Sequence, residues 1–247
     1  MRLPRTSYII CATPRSGSGL LCEALWNTGV AGKPNEYFYR EDLKRWGASS
    51  YAEYIRAVIE SGTTPNGVFG VKLMWEQIRH LRLKLYLRAP QFAKFRLPSM
   101  LECLFPNPHY IWLRRRDKLR QAVSLYKAIN TRSYRSVDGD AEAGGKAPEF
   151  DLRAIDRWLK KLHRWDACWQ NYFDAHRISP LVVVYEDDLE HGYKDISLRI
   201  LEYLKIPVPP DLTFHACRRK QSDELSEAFV RLYQETQQRR KRFAGKV

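Results

Sequence analysis

The chain has no long apolar run. Its hydrophobic stretches break after a few residues, which excludes a transmembrane helix. The apolar stretch at Tyr8–Ala12 is too short and too soon interrupted to act as a secretion signal. Cysteine is scarce, five residues without framework spacing, so reduced thiols and a cytoplasmic location are expected. The six histidines are scattered, and the one close pairing, His215 with Cys217, reads as structural, so no metal is expected. No repeat, low-complexity tract or Pro/Gly/Ser-rich linker divides the chain, and residues 1–247 read as a single domain.

What is present narrows the field. Hydrophobic residues make up 44% and aromatics 13%, enough for a substantial core, which excludes intrinsic disorder. Forty-two Lys and Arg face 28 Asp and Glu, a net charge of +14 that calls for an anionic partner. Nucleic acid, an anionic membrane and a small polyanion such as a nucleotide all satisfy it.

Four short apolar runs read as buried strands: Tyr8–Ala12, Val68–Met74, Tyr110–Leu113 and Leu181–Tyr185. Helical spacing appears between them. A helix is expected from about Ser18, carrying Leu20, Leu21, Ala24 and Leu25, and another bears Tyr51, Tyr54, Ile55 and Val58. A long amphipathic helix carries Ile155, Trp158, Leu159, Leu162, Trp165, Trp169, Tyr172 and Phe173. One more, with Ile196, Leu201 and Leu204, is ended by Pro207. Strands alternating with helices predict an α/β fold, a mostly parallel central sheet flanked by helices, with ligands at the carboxyl ends of the strands. The segment from Asn130 to Pro148, rich in Gly and small or acidic residues, reads as a long loop.

Two strand ends carry candidate chemistry. The first strand runs into Thr13-Pro-Arg-Ser-Gly-Ser-Gly19 and then a helix, an arrangement that cradles anions through backbone N–H groups and the helix dipole. Gly17 and Gly19 permit close approach, Ser16 and Ser18 offer hydroxyls, and Arg15 offers a cation. The nucleotide-triphosphatase signature G-x-x-x-x-G-K-[ST] is absent, and no carboxylate stands ready for Mg²⁺ at the third strand's end, which points to a metal-free phosphate site. The third strand ends in Arg114-Arg-Arg116. Asp117 is placed to cap the helix that follows, and Ser124 lies about two turns along it, so Arg115 or Arg116 with Ser124 forms a second anion site.

This pair of sites resembles the sulfotransferase superfamily. At closer range the chain resembles the bacterial carbohydrate sulfotransferases of the mycobacterial trehalose 2-sulfotransferase type, and more distantly the Nod-factor sulfotransferases. The segments that carry the resemblance are Pro14–Ser18, Gly29–Phe38, Thr64–Trp75, Arg116-Asp117 through Ser124, Thr131-Arg132 and Lys220–Asp223, in order along the chain. The run Pro-Asn-Gly-Val-Phe-Gly-Val-Lys-Leu-Met-Trp is the most specific of them.

The resemblance implies a P-loop-like sulfotransferase fold and PAPS (3′-phosphoadenosine 5′-phosphosulfate) as donor, with adenosine 3′,5′-bisphosphate (PAP) as product. It assigns Arg15, Ser16, Gly17, Ser18 and Gly19 to the phosphosulfate, with Arg15 stabilising the leaving phosphate. Arg115, Arg116 and Ser124 fall to the 3′-phosphate, and Lys220 and Gln221 to a loop closing over the nucleotide. It makes Glu36 the general base. Lys72 either contacts the transferring sulfonate or forms a salt bridge at the core edge. Pro14, Lys33, Asn35, Tyr37 and Phe38 fall on the acceptor side, and a homodimer is implied. Pro14 stands where the trehalose enzyme has Gln, Gly19 where the loop usually has a hydroxyl, and Lys33 and Asn35 differ beside the base, so the donor site carries over better than the acceptor site. The expected activity is sulfuryl transfer to a hydroxyl of a carbohydrate or glycolipid. A non-sugar hydroxyl is the alternative. A basic nucleic-acid-binding module built on Arg114–Arg116 and Arg239–Arg242 is a remote one, since no nucleic-acid-binding motif accompanies those patches.

Overall fold

The computed structural model describes residues 4–39, 43–88, 94–131, 148–213 and 224–244. Four strands, β1 (Thr6–Ala12), β2 (Val68–Met74), β3 (Pro108–Arg114) and β4 (Leu181–Val184), form one sheet in the order β2-β1-β3-β4. Every neighbouring pair is parallel, with Ile10 opposite Lys72 and Ile111, and Arg114 opposite Val184. The α/β expectation holds, and each strand read from the sequence is present. The helices are α1 (Ser18–Asn27), α2 (Tyr51–Gly62), α3 (Trp75–Arg88), α4 (Leu97–Leu104), α5 (Lys118–Thr131), α6 (Leu152–His176), α7 (Tyr185–Asp188), α8 (Lys194–Tyr203) and α9 (Glu224–Ala244).

β1, β2 and the middle of β3 form because both of their faces are buried, while β4, at the far edge, leaves Val182 exposed. Alternate residues of β1 point to opposite sides. Ile9 and Cys11 join Val71, Leu73 and Trp112 in one core, covered by α2, α3, α4 and the second half of α6. Tyr8, Ile10 and Ala12 join Val68, Ile111 and Val183 in the other, covered by α1 and α8. All seven residues of β2 are buried, although β2 lies at the edge of the sheet.

The chain divides into two compact units, residues 1–114 with 165–217, and residues 115–164 with 218–247. The first holds the sheet. In the second, α5 packs with α9. There Phe229 meets the rings of Tyr126 and Phe150, Arg120 forks onto Glu227 with Nη2 2.9 Å from Oε2, and Tyr233 donates to Asp156 at 3.0 Å.

Boundaries read from the sequence shift in places. Tyr185, expected as the end of the fourth strand, instead opens α7. The expected loop from Asn130 begins later, because α5 continues to Thr131. Asn130 Nδ2 donates to the Tyr126 carbonyl and Thr131 Oγ1 to that of Lys127, so both polar side chains bond back one turn and keep the helix going. The remainder of that segment, 132–147, lies outside the described residues, as do Lys220 and Gln221. The four described cysteines form no disulfide, and no helix among the described residues is long and apolar enough to cross a membrane.

Between α1 and α2 the chain from Gly29 to Glu36 lies along the outer edge of β2. Gly32 N–H donates to Thr64 Oγ1 at 3.1 Å, Asn66 Nδ2 to the Val30 carbonyl at 2.8 Å, and Lys33 N–H to the Gly62 carbonyl at 2.9 Å. Lys72 N–H, facing outward from β2, donates to the Asn35 carbonyl at 3.0 Å. The contact is close enough to require glycine. Gly32 has φ +71, and a Cβ there would stand 2.8 Å from the Gly70 nitrogen. Gly32→Ala therefore combines left-handed strain with a backbone clash, and it is expected to cost about 1–3 kcal/mol. Urea unfolding measures this, and a loss within about 0.5 kcal/mol, as at an ordinary surface position, would refute the docking.

Candidate active site

β1 delivers the first element of the site. Its last residue, Ala12, accepts from Trp169 Nε1 at 3.0 Å, and the next, Thr13, donates to Asp166 Oδ1 at 3.4 Å. Both partners come from α6 and are buried, so the strand end is anchored in the core. The turn then reverses through two left-handed residues, Arg15 at φ 63 and Gly17 at φ 92. A side chain at Gly17 would meet the ring of Tyr185 at 2.5 Å. Glycine is thus required there by conformation and by space together. Gly17 caps α1 without a side-chain bond, leaving the first N–H groups of α1 oriented toward the turn.

Ser16 is fully buried, and its hydroxyl has no hydrogen-bond partner among the described residues. A buried unpaired hydroxyl is costly. Beside a helix N-terminus, that hydroxyl is a group an anionic oxygen would satisfy. The turn therefore fits a phosphate or sulfonate group. Arg15, Ser16 and Gly17 lie in this turn at the carboxyl end of β1, and Ser18 and Gly19 are the first two residues of α1.

β2 delivers the second element. Lys72 alternates with Val71 and Leu73, which enter the α2–α3 core, so its side chain leaves on the opposite face. Lys72 Nζ lies 2.6 Å from Glu36 Oε1. Glu36 Oε2 accepts from Gln77 Nε2 at 2.8 Å, and Gln77 Oε1 accepts from Met74 N–H at 3.3 Å. The Glu36 N–H is itself bonded to Asn35 Oδ1 at 2.8 Å. A cation, an amide and the docked 29–36 segment thus hold one carboxylate at the edge of the sheet. The salt bridge expected of Lys72 is present, and its partner is the candidate base itself.

Glu76, which sequence reasoning did not single out, stands beside this group at the start of α3. Its Oε2 is buried without a hydrogen-bond partner among the described residues. Burial, augmented by the nearby Glu36 charge, pushes its carboxyl from the usual 4.5 up to about 7. Its place next to the Lys-Leu-Met-Trp run was the available signal, but nothing in that run shows that the side chain is buried.

The acceptor-side residues separate. Lys33 and Asn35 lie on the segment that carries Glu36, and Pro14 is part of the β1 turn. Tyr37 stacks on Phe69 and donates its hydroxyl to the Lys33 carbonyl; burial, with the Cys22 thiol adding to it, pushes that hydroxyl up to about 12. Phe38 is only 1% exposed, wedged edge-on against Tyr54 and Phe105. Its ring is part of the core and offers a ligand no surface.

The second unit carries Arg115, Arg116 and Ser124. Asp117 caps α5 as expected, accepting the Arg120 N–H at 2.8 Å. Arg115 is half-buried, Arg116 is exposed, and Ser124 is half-buried on α5. Arg114, the last residue of β3, is occupied differently, with its guanidinium 4.3 Å from the centre of the Trp112 ring.

Comparison with known proteins identifies the family. A sequence model of the family described as Stf0 sulphotransferase matches residues 7–236. The chain is 28% identical to a trehalose 2-sulfotransferase of Mycolicibacterium smegmatis over an alignment of 265 residues, covering 95% of this chain and 96% of the relative. It is 27% identical to a trehalose 2-sulfotransferase of Mycobacterium tuberculosis over 209 residues, covering 72% of this chain and 76% of the relative.

The raised Glu76 carboxyl carries a stability signature. A carboxyl whose folded pKa lies above its unfolded one keeps its proton longer in the folded state, so folding loses stability as pH rises from about 4.5 to about 7. At about 1.4 kcal/mol for each pH unit of displacement, the loss is about 3 kcal/mol. Glu76→Gln removes it. Urea unfolding should find the variant close to wild type near pH 4 and more stable by up to that amount at pH 8. An equal difference at both pH values would remove the buried-carboxyl assignment.

Proposed function

The chain belongs to the Stf0 sulphotransferase family and is a sulfotransferase, and from that premise we propose that it transfers the sulfuryl group of PAPS to a hydroxyl of a carbohydrate or glycolipid, with Glu36 as general base. We read residues 1–247 as one catalytic domain working in the cytoplasm. The observation that carries the reading is the Lys72–Glu36–Gln77 group, held at the edge of β2 next to the strand whose end forms the anion-binding turn. The trehalose acceptor of the two relatives supports a carbohydrate here, and the similarity extends over nearly the whole chain of one of them. Pro14 makes the sugar different in detail, because it offers no side-chain hydrogen bond to a ligand.

In this reading Arg15, Ser16, Gly17, Ser18 and Gly19 hold the phosphosulfate end of the donor through backbone N–H groups, the Ser16 hydroxyl and the Arg15 cation. Arg115, Arg116 and Ser124 are assigned to its 3′-phosphate, and Lys220 and Gln221 to its cover, on the sequence resemblance. The acceptor hydroxyl attacks sulfur in line. The new oxygen–sulfur bond forms as the bond from sulfur to the leaving phosphate oxygen breaks, and the hydroxyl proton passes to Glu36.

Lys72 has a part in both halves of that step. Before transfer it neutralises the Glu36 carboxylate. Once Glu36 takes the proton, the attraction between them falls away, and the ammonium is released to meet the negative charge of the sulfonate. The two roles expected of Lys72, salt bridge and sulfonate contact, become successive states of one residue. The acceptor is positioned by Lys33 and Asn35, which share a segment with the base.

Two measurements test this. PAP should stabilise the protein thermally, by an amount that rises with the logarithm of its concentration above the dissociation constant, because it binds only the folded state; no shift at millimolar PAP would remove the donor assignment. With labelled PAPS and a panel of sugars, glycolipids and non-sugar alcohols, Glu36→Gln should keep the PAP shift and lose about 100-fold or more in turnover, the range of general-base catalysis. Unchanged turnover would exclude Glu36 as base. Transfer confined to the non-sugar alcohols would replace the carbohydrate acceptor.

A further inference from the structure

Helix α3 is apolar on two opposite faces. Ile78, Leu81 and Leu85 point inward and are buried in the core. Leu83, Tyr86 and Leu87 point the other way and are 55%, 59% and 65% exposed. At 100° per residue these three fall within one face, and Arg79 and His80 share it. Arg82 and Lys84 flank it on either side, and Arg88 closes the end. From Gln77 to Arg88 the helix contains no acidic residue. A surface helix ordinarily turns a polar face to water. This one presents a compact apolar strip bordered by cations.

From this pattern we propose that the outer face of α3 is a docking surface for an anionic lipid bilayer, with Leu83, Tyr86 and Leu87 entering the interface and Arg79 and Arg82 meeting the head groups. The composition is that of an in-plane interfacial helix, apolar on one side with long basic side chains at its margins. Basic residues there are drawn to anionic lipid within a Debye length. Charge decides against a second copy of the chain. In a two-fold interface the same patch meets itself, so a face carrying Arg79 and Arg82, on a helix with no acid from Gln77 to Arg88, would be brought against its own like. An anionic surface complements both features at once. The helix lies on such a surface and does not cross it, in keeping with its 14 residues.

The test uses the full chain and sedimentation with vesicles, either pure phosphatidylcholine or phosphatidylcholine with phosphatidylglycerol. The wild type should partition onto the anionic vesicles at least tenfold more than onto the neutral ones, with the difference shrinking as salt is raised. The triple substitution Leu83→Ser, Tyr86→Ser, Leu87→Ser should lower anionic partitioning at least tenfold while the thermal midpoint stays near wild type, since all three side chains face water. The pair Arg79→Glu, Arg82→Glu should do the same with the apolar strip intact. Equal partitioning of the wild type on both vesicle types, or a triple variant that binds like wild type, would overturn the proposal. So would sedimentation velocity showing a wild-type dimer that the triple variant splits into monomers, because the face would then be a self-interface.

Discussion

The site of the first unit depends on a single ion pair, Lys72 with Glu36, whose two members are held by different means. Lys72 is fixed by its strand. Glu36 follows α1 on a stretch without regular structure, and its position depends on that stretch being docked to β2. The two restraints meet in adjacent atoms, since the Lys72 N–H bonds the carbonyl of Asn35, the residue before Glu36, while the Lys72 ammonium bonds the Glu36 carboxylate. A half-buried pair of this kind contributes little net stability once desolvation is counted. Its value lies in geometry, because it sets a carboxylate and a cation at a defined point of the sheet edge.

The Thr64-Pro-Asn-Gly sequence gains a physical explanation from this. In the sequence it stands out only as a specific run shared with a family. In the structure Thr64 and Asn66 form the clasp for residues 29–36, with hydrogen bonds to Gly32 and Val30. The run therefore positions the segment of Glu36. Asp166 and Trp169 do the corresponding work for the first turn, holding Thr13 and Ala12 from α6. The turn, the base and the cation are each supported by hydrogen bonds that arise in neighbouring elements, which gives a reactive group a fixed direction.

β1 to β3 were legible because burial on both faces leaves unbroken apolar runs, with β2 the extreme case, and β4 from its short run of branched residues. Helices α1, α2, α6 and α8 were legible from one-sided spacing. Helix α3 was not, because Leu83, Tyr86 and Leu87 on its outer face blur the one-sided pattern and it follows β2 directly, without a turn signal. At the site, Arg15, Glu36 and Lys72 could be read from the residues and the resemblance. The pairing of Glu36 with Lys72 could not, since no local pattern links residues so far apart in sequence. Phe38 misled for the converse reason. An aromatic beside a candidate base suggests a ligand platform, and only the packing shows that its ring belongs to the core.

The docking of residues 29–36 also bears on how the protein survives in solution. β2 ends the sheet, and its Val-Phe-Gly-Val-Lys-Leu-Met sequence is a short β-prone stretch with a single charge. Uncovered edges of that composition are templates for pairing with other chains. Asn35 and Thr63 occupy positions along that edge, so the segment that carries Glu36, together with Thr63, also guards against self-association. Selection against aggregation and selection for catalysis then act on the same backbone, and a change that loosens Gly32 or Thr64 would be felt first as a loss of solubility during expression.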